Sequence, residues 1–256
     1  YYAANNLTVV IVGDFDTATT AAHIERAFGR LPSAERIPRN PTTVIEQRGE
    51  RRADVFFDAK IPLLFVGWHT PPTGHADGET LDIASQILSG GRSSRLYRSL
   101  VYDAEKALYA HGSYWEMSDA GMFYASAGAR PGVPLDEVEA LFMAEIDLVA
   151  TEGVTDEEVA RAKRQMEVSL INRFATNHSL ASRVGREIVA FGRVRPLGER
   201  IAAIRAVTAD DVKRVVKTYL TDEGRNVIRV VPPPAEPDEA TETDDVAMTT
   251  LEGGAR

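Results

Sequence analysis

Apolar positions along the chain fall first into short β-branched runs and later into helical stripes. Leu7-Thr8-Val9-Val10-Ile11-Val12 is a nearly unbroken apolar run ended by Gly13-Asp14, which predicts a buried strand. Asp16 then offers a helix N-cap. Ala21, Ile24, Ala27 and Phe28 recur at helical spacing, with Gly29 as the stop and Pro32 as the breaker. Residues 32–50 are rich in proline and polar groups and read as a loop or extended connector.

Strands are expected over about 52–58 and 61–69, followed by the turn Pro71-Pro72-Thr73-Gly74. A helix over about 77–89, a Gly90-Gly91 break and a second helix over about 93–102 come next. Two more strands, about 106–115 and 121–130, form a hairpin ended by Pro131-Gly132-Val133-Pro134. Helical spacing then dominates over 135–151, 156–174, 178–191, 196–206 and 209–219. Thr155 with Glu158 forms a capping box before the second of these. Asn226 to Val231 is a last apolar strand, and no repeat appears at solenoid periods. Strand runs followed by helix runs predict an α+β domain over residues 1–231: a two-layer mixed β-sheet with helices packed on one face.

Composition changes at Pro232. Residues 232–256 hold seven acidic side chains against one arginine, so this segment carries -6 of the chain's -9. It is expected to be a disordered tail or linker. The whole chain has 256 residues, 29 Lys+Arg, 38 Asp+Glu and no cysteine. That excludes disulfides, thiolate metal sites and a cysteine nucleophile. The acidic balance argues against a nucleic-acid partner, and no apolar run is long enough to span a bilayer. The sequence begins Tyr1-Tyr2 without methionine, a few residues before a hydrophobic run. We read it as a piece of a longer polypeptide.

Candidate chemistry is sparse. His23, His69, His75, His111 and His178 include no pair at i, i+4, so the helical zinc arrangement with an adjacent glutamate is missing. His69 and His75 flank a turn and read as loop histidines rather than metal ligands. No G-x-S-x-G elbow is present; Ser93 and Ser94 read as helix caps. Ser89-Gly90-Gly91-Arg92-Ser93-Ser94 joins two helices and lacks the phosphate-loop spacing. Arg92, Arg95 and Arg98 read as a solvated face, or as a surface for an acidic partner or a peptide carboxylate. Tyr97, Tyr102, Tyr109, Tyr114 and Tyr124 cluster in one third of the chain, and a phenol in a cleft can donate to a peptide carbonyl.

Four separated segments carry a family resemblance: Tyr1 to Asp16, Leu88-Ser89-Gly90-Gly91-Arg92-Ser93-Ser94-Arg95-Leu96-Tyr97, the Glu158–Lys163–Glu167 helix, and Ala206-Val207-Thr208-Ala209-Asp210-Asp211-Val212. In this order they resemble the second, non-metal domain of the insulinase/pitrilysin-type zinc metallopeptidases, the inverzincins. The resemblance implies a domain without its own metal. The zinc motif H-x-x-E-H is expected in a preceding domain or partner subunit, and two halves are expected to close around a peptide chamber. It further implies that this piece walls the chamber and contacts substrate or the partner half, with a bacterial envelope location by family habit. A non-catalytic assembly or peptide-binding module on the same fold is the alternative. The family's inactive half carries an Arg and, seven positions on, a Tyr that bind substrate. Here the Tyr falls on Tyr109 and the Arg position on Tyr102, with Arg98 one turn earlier as a substitute. The resemblance therefore implies Tyr109, Tyr102 and Arg98 as substrate contacts, with the pair incomplete.

Overall fold

The structure is a computed structural model that describes residues 1–38 and 45–233. The expected tail thus lies, from residue 234 on, outside the described residues. Five strands form one mixed sheet: β1 (Arg51–Phe56), β2 (Leu63–Thr70), β3 (Ala107–Trp115), β4 (Gly121–Ala129) and β5 (Arg225–Val231). Their spatial order is β1-β5-β2-β4-β3. β5 runs parallel to β1 and antiparallel to β2, and β4 is antiparallel to both β2 and β3. The last strand of the chain therefore sits inside the sheet, inserted between the first two.

Strand alternation decides which side chains meet the helices. Leu64, Val66 and Trp68 of β2 point to one face with Phe123, Ala125 and Ala127 of β4 and Val227 of β5, and all are buried. Trp68 meets Phe123 edge-on at 6.0 Å and donates its indole N–H to the Thr221 carbonyl at 2.9 Å. Helices α2 (Gly78–Ser89), α4 (Leu135–Thr151) and α8 (Ala209–Tyr219) close this core, with α5 (Asp156–Asn172) and α7 (Leu197–Ala206) packed behind α2. α2 is apolar nearly all round, as a central helix must be, burying Leu81, Ile83, Ala84, Ile87 and Leu88. Asp77, just before it, accepts from Arg214 and from the Tyr219 hydroxyl, each at 2.7 Å, and so ties α2 to α8.

Local signals set the helix ends. Thr155 with Glu158 and Thr208 with Asp211 form complete capping boxes on α5 and α8. α6 (Asn177–Phe191) is capped by Thr176 and stopped by Gly192, whose φ of 68° is left-handed. The helix expected over about 93–102 is one turn, α3 (Arg95–Tyr97), widened into a π turn over Arg98–Asp103. This arrangement buries both Leu96 and Leu100.

Two sequence expectations are corrected. Leu7 to Val12 is not part of any strand pair among the described residues, and Leu7, Val9 and Ile11 are 48%, 42% and 44% exposed. The run specifies an extended backbone, but a strand also needs a partner, and no strand pairs with it among the described residues. The helix after it forms as expected as α1 (Thr17–Phe28), with Asp16 accepting from the Thr19 N–H at 2.7 Å, yet it buries no residue. Second, Arg95 is not on a solvated stripe. It donates to both Glu158 oxygens, at 2.7 and 2.9 Å, and packs half-buried between α3 and α5. That pairing holds the Glu158 carboxyl down at about 2.

Candidate functional site

Among the described residues no helix packs on the other face of the sheet. The register places Tyr109 beside Gly128, His111 beside Ser126, Ser113 beside Tyr124 and Trp115 beside Met122, all on this bare side. β2 adds Phe65 beside Ser126, and β5 adds Ile228 beside Phe65. The result is a continuous strip across four strands, aromatic at the β3 edge and aliphatic toward β1. Phe65, Ile228 and Trp115 are 38%, 44% and 49% exposed, so the strip is accessible. Contiguous exposed apolar surface of this kind marks an interaction site.

The aromatic end has defined geometry. Tyr109 and His111 lie with ring centres 5.3 Å apart and tilted by 37°. Trp115 meets Tyr124 at 4.7 Å and 63°. His111 Nε2 lies 3.4 Å from the Ser126 hydroxyl. Glycine at 128 has a specific reason: a Cβ there would fall 2.6 Å from the Tyr109 ring, so the phenol lies flat across a position that must have no side chain. Burial raises the Tyr109 pKa, which keeps the hydroxyl protonated and able to donate. A β-bulge between Ala107 and Tyr109 resets the alternation and so turns Tyr109 to the bare face.

A second concavity, of about 760 Å³, lies at one end of the sheet between α2, the β3–β4 hairpin, α6 and α7. Its charged groups include Asp82, Glu116, Arg183, Glu187, Arg195 and Arg200. Glu187 accepts the backbone N–H of Arg195 at 2.6 Å and pairs with Arg183 at 3.1 Å. Among the described residues Asp82 forms no ion pair. Burial, with Glu116 and Glu79 nearby, pushes its carboxyl up to about 7, against the pull of Arg200 and Arg173. Glu116 is raised for the same reason, desolvation first and then Glu79.

The residues singled out from sequence do not converge. Tyr109 lies half-buried on the bare face. Tyr102, 73% exposed on the π turn, borders a different hollow with Tyr97, Val101, Glu105 and Arg130. Arg98 lines a third cavity, with Arg95, Glu145, Glu158 and Arg161 on the helical side. His111, Trp115 and Phe65 went unnoticed as site residues. The available signal was the period-two spacing of Tyr109, His111 and Trp115 through the 106–115 strand. Tyr114, of the same tyrosine cluster, points into the core.

Among the described residues no three His, Cys, Asp or Glu side chains converge as metal ligands. His75 accepts the Asp77 N–H at 3.1 Å, while His69 stands on the bare face beside Met122. Ser94 precedes α3 without capping it and donates instead to the Gly91 carbonyl at 2.7 Å. The described residues thus offer no ligand set that fits a zinc ion.

Comparison with known proteins gives concordant results. The family description "Peptidase M16 inactive domain" matches residues 1–166. An uncharacterised zinc protease of Streptomyces coelicolor is 31% identical over 141 residues, spanning 55% of this chain and 30% of that protein. The crystal structure of a protease from Helicobacter pylori superimposes with a TM-score of 0.79 at 21% identity, covering 86% of this chain and 54% of that one. The inactive peptidase domain of a proposed zinc protease from Bordetella parapertussis gives a TM-score of 0.63 at 25% identity, covering 71% of this chain and 98% of that one. The chain therefore spans about half the Helicobacter pylori protein and less of the Streptomyces coelicolor one. With an α+β fold, a helix-covered core and a bare sheet face, this chain belongs to the M16 peptidase family, as an inactive domain.

Proposed function

We propose that this domain walls the peptide chamber of a zinc metallopeptidase and touches the substrate through its bare sheet face. The observation that carries the reading is the accessible strip from Tyr109 and His111 through Tyr124 and Trp115 to Phe65 and Ile228. Aromatic rings with polar tips suit unfolded peptide, because they take apolar side chains and donate to backbone carbonyls. Zinc and the activated water belong to a preceding domain or partner subunit, whose H-x-x-E-H motif supplies the chemistry. This domain's share is binding, and Tyr109 is its principal donor. Tyr102 and Arg98, proposed with Tyr109 as substrate contacts, border other hollows.

The test uses the longer polypeptide that carries the zinc motif. Tyr109→Ala is expected to raise KM for an unfolded peptide about tenfold, consistent with one lost hydrogen bond plus aromatic contact, while kcat holds and chelation abolishes cleavage. An unchanged KM refutes the role of Tyr109. Absence of chelator-sensitive cleavage in the wild type refutes the protease reading and leaves a non-catalytic assembly module.

A further inference from the structure

Charge is divided between the two faces of the sheet in the reverse of the ordinary order. An antiparallel sheet covered on one side usually keeps its polar residues on the open side. Here the strands' ion pairs lie on the helical side. Arg52 reaches Glu139 of α4 at 2.7 Å, Arg229 reaches Asp136 of α4 at 2.8 Å and Asp54 of β1 at 3.7 Å, and Arg225 pairs with Glu50. The alternation that sends these side chains toward the helices sends their neighbours to the bare face. Among the bare-face positions that the registers assign, from Arg51 on β1 to Trp115 on β3, none is aspartate or glutamate. Arg51, at the outer edge of β1, is the one arginine or lysine among them, and His69 and His111 are the other basic side chains.

This has a consequence for whatever lies on the face. A lysine or arginine pressed against it loses water and finds no carboxylate in exchange, which is costly for a charged group. It can turn its head back to water only by lifting part of its stem from the apolar strip. Aromatic rings are the other partner a cation can find. Here they are largely engaged with one another, Tyr109 with His111 at 5.3 Å and Trp115 with Tyr124 at 4.7 Å. A neutral apolar side chain meets no such cost against Phe65, Ile228 or Val55, each accessible on this face. An acidic one has Arg51 to pair with at the β1 end.

We infer that the bare face selects apolar peptide segments free of lysine and arginine, and accepts acidic ones. The inference rests on the proposed role of this face as the peptide wall, and it names the class of peptide that the wall takes. The selecting feature is the missing carboxylate. Selectivity should therefore follow charge placed on the face rather than its shape.

The test uses the 256-residue chain and three ten-residue apolar peptides that are identical except at two central positions, where they carry serine, glutamate or lysine. Binding is read from tryptophan emission, Trp115 being the exposed tryptophan on this face. The serine and glutamate peptides are expected to bind at least ~5-fold more tightly than the lysine peptide, the difference arising from desolvation of an unpaired cation. Ile228→Glu puts a carboxylate at the centre of the strip and should bring the lysine peptide within about 2-fold of the serine peptide. His111→Glu, at an exposed position on the edge strand, is the second variant and decides the matter where Ile228→Glu fails to fold. Lysine peptide bound as tightly as the other two by the wild type overturns the inference. So does discrimination against lysine that survives the added carboxylate, or a glutamate peptide bound more weakly than the lysine one. The two readings fail separately. Equal binding of all three peptides leaves the peptide wall standing and removes the selectivity, whereas emission unchanged by every peptide removes both.

Discussion

Asp82→Asn separates a buried neutral acid from a buried ion pair. In the unfolded chain the carboxyl titrates at an ordinary 3.8, and in the fold it is pushed up to about 7, first by burial and then by Glu116 and Glu79. The sign follows from linkage. A carboxyl raised in the fold contributes its full stability below about 4, and that contribution is lost as pH rises through about 7. Each tenfold change in proton affinity is about 1.4 kcal/mol, which sets an upper bound of about 4 kcal/mol at pH 8. Asp82 keeps partial solvent contact and faces Arg200 and Arg173, so roughly half of that, about 2 kcal/mol, is expected. Asparagine is nearly isosteric and does not ionise. Urea midpoints read by circular dichroism for both proteins, from about pH 3 to about pH 8.5, should coincide at the acid end and diverge upward. The variant should be about 2 kcal/mol more stable at pH 8 with an unchanged m-value. A variant less stable by the same amount at every pH refutes the reasoning, because Asp82 would then be an ionised partner of Arg200 or Arg173. The raised Glu116 titrates in the same direction and leaves a residual slope in the variant.

Glu158→Gln removes a carboxylate that serves both the α5 capping box and Arg95, and should cost about 2–3 kcal/mol at pH 7. Because that carboxyl is held at about 2, its contribution is present above about 4.5 and lost as pH falls toward 2; equal stability of the two proteins at pH 7 contradicts the pairing. Gly112→Ala places a Cβ 2.4 Å from the Tyr124 carbonyl oxygen, a backbone atom, and should destabilise by about 1–3 kcal/mol in thermal unfolding. The two tryptophans differ sharply, Trp68 buried and hydrogen-bonded and Trp115 open on the bare face. Iodide should quench about half of the emission, and Trp115→Phe should abolish that quenching. Peptide bound to the bare face should protect the same fraction, and quenching that peptide leaves unchanged argues against contact there.

Much of this architecture was legible along the chain because its signals are local. Gly and Pro breaks, the Thr155–Glu158 box and the 3.6-residue stripes placed all seven longer helices within a few residues, from Thr17–Phe28 to Ala209–Tyr219. Alternation placed β2, β3 and β4. What it could not carry is partnership. Leu7–Val12 and Asn226–Val231 read alike as strands, yet one lies between two neighbours and the other has none among the described residues, because pairing depends on an edge elsewhere in space. The same holds for charge. Arg95 and Arg98 share a helical spacing, but only Arg95 meets Glu158, 63 residues on.

The sequence by itself determined the class of fold and the order of its elements, since each follows from short-range pattern and residue type, and its separated segments carried the resemblance to the family. Tertiary structure alone decided that Tyr109, His111 and Trp115 share a helix-free face, that Tyr102 and Arg98 lie apart from them, and that Asp82 holds a proton near neutrality. Those properties arise from register, a single bulge and the packing of α2 against β3, which bring together residues that no local spacing relates.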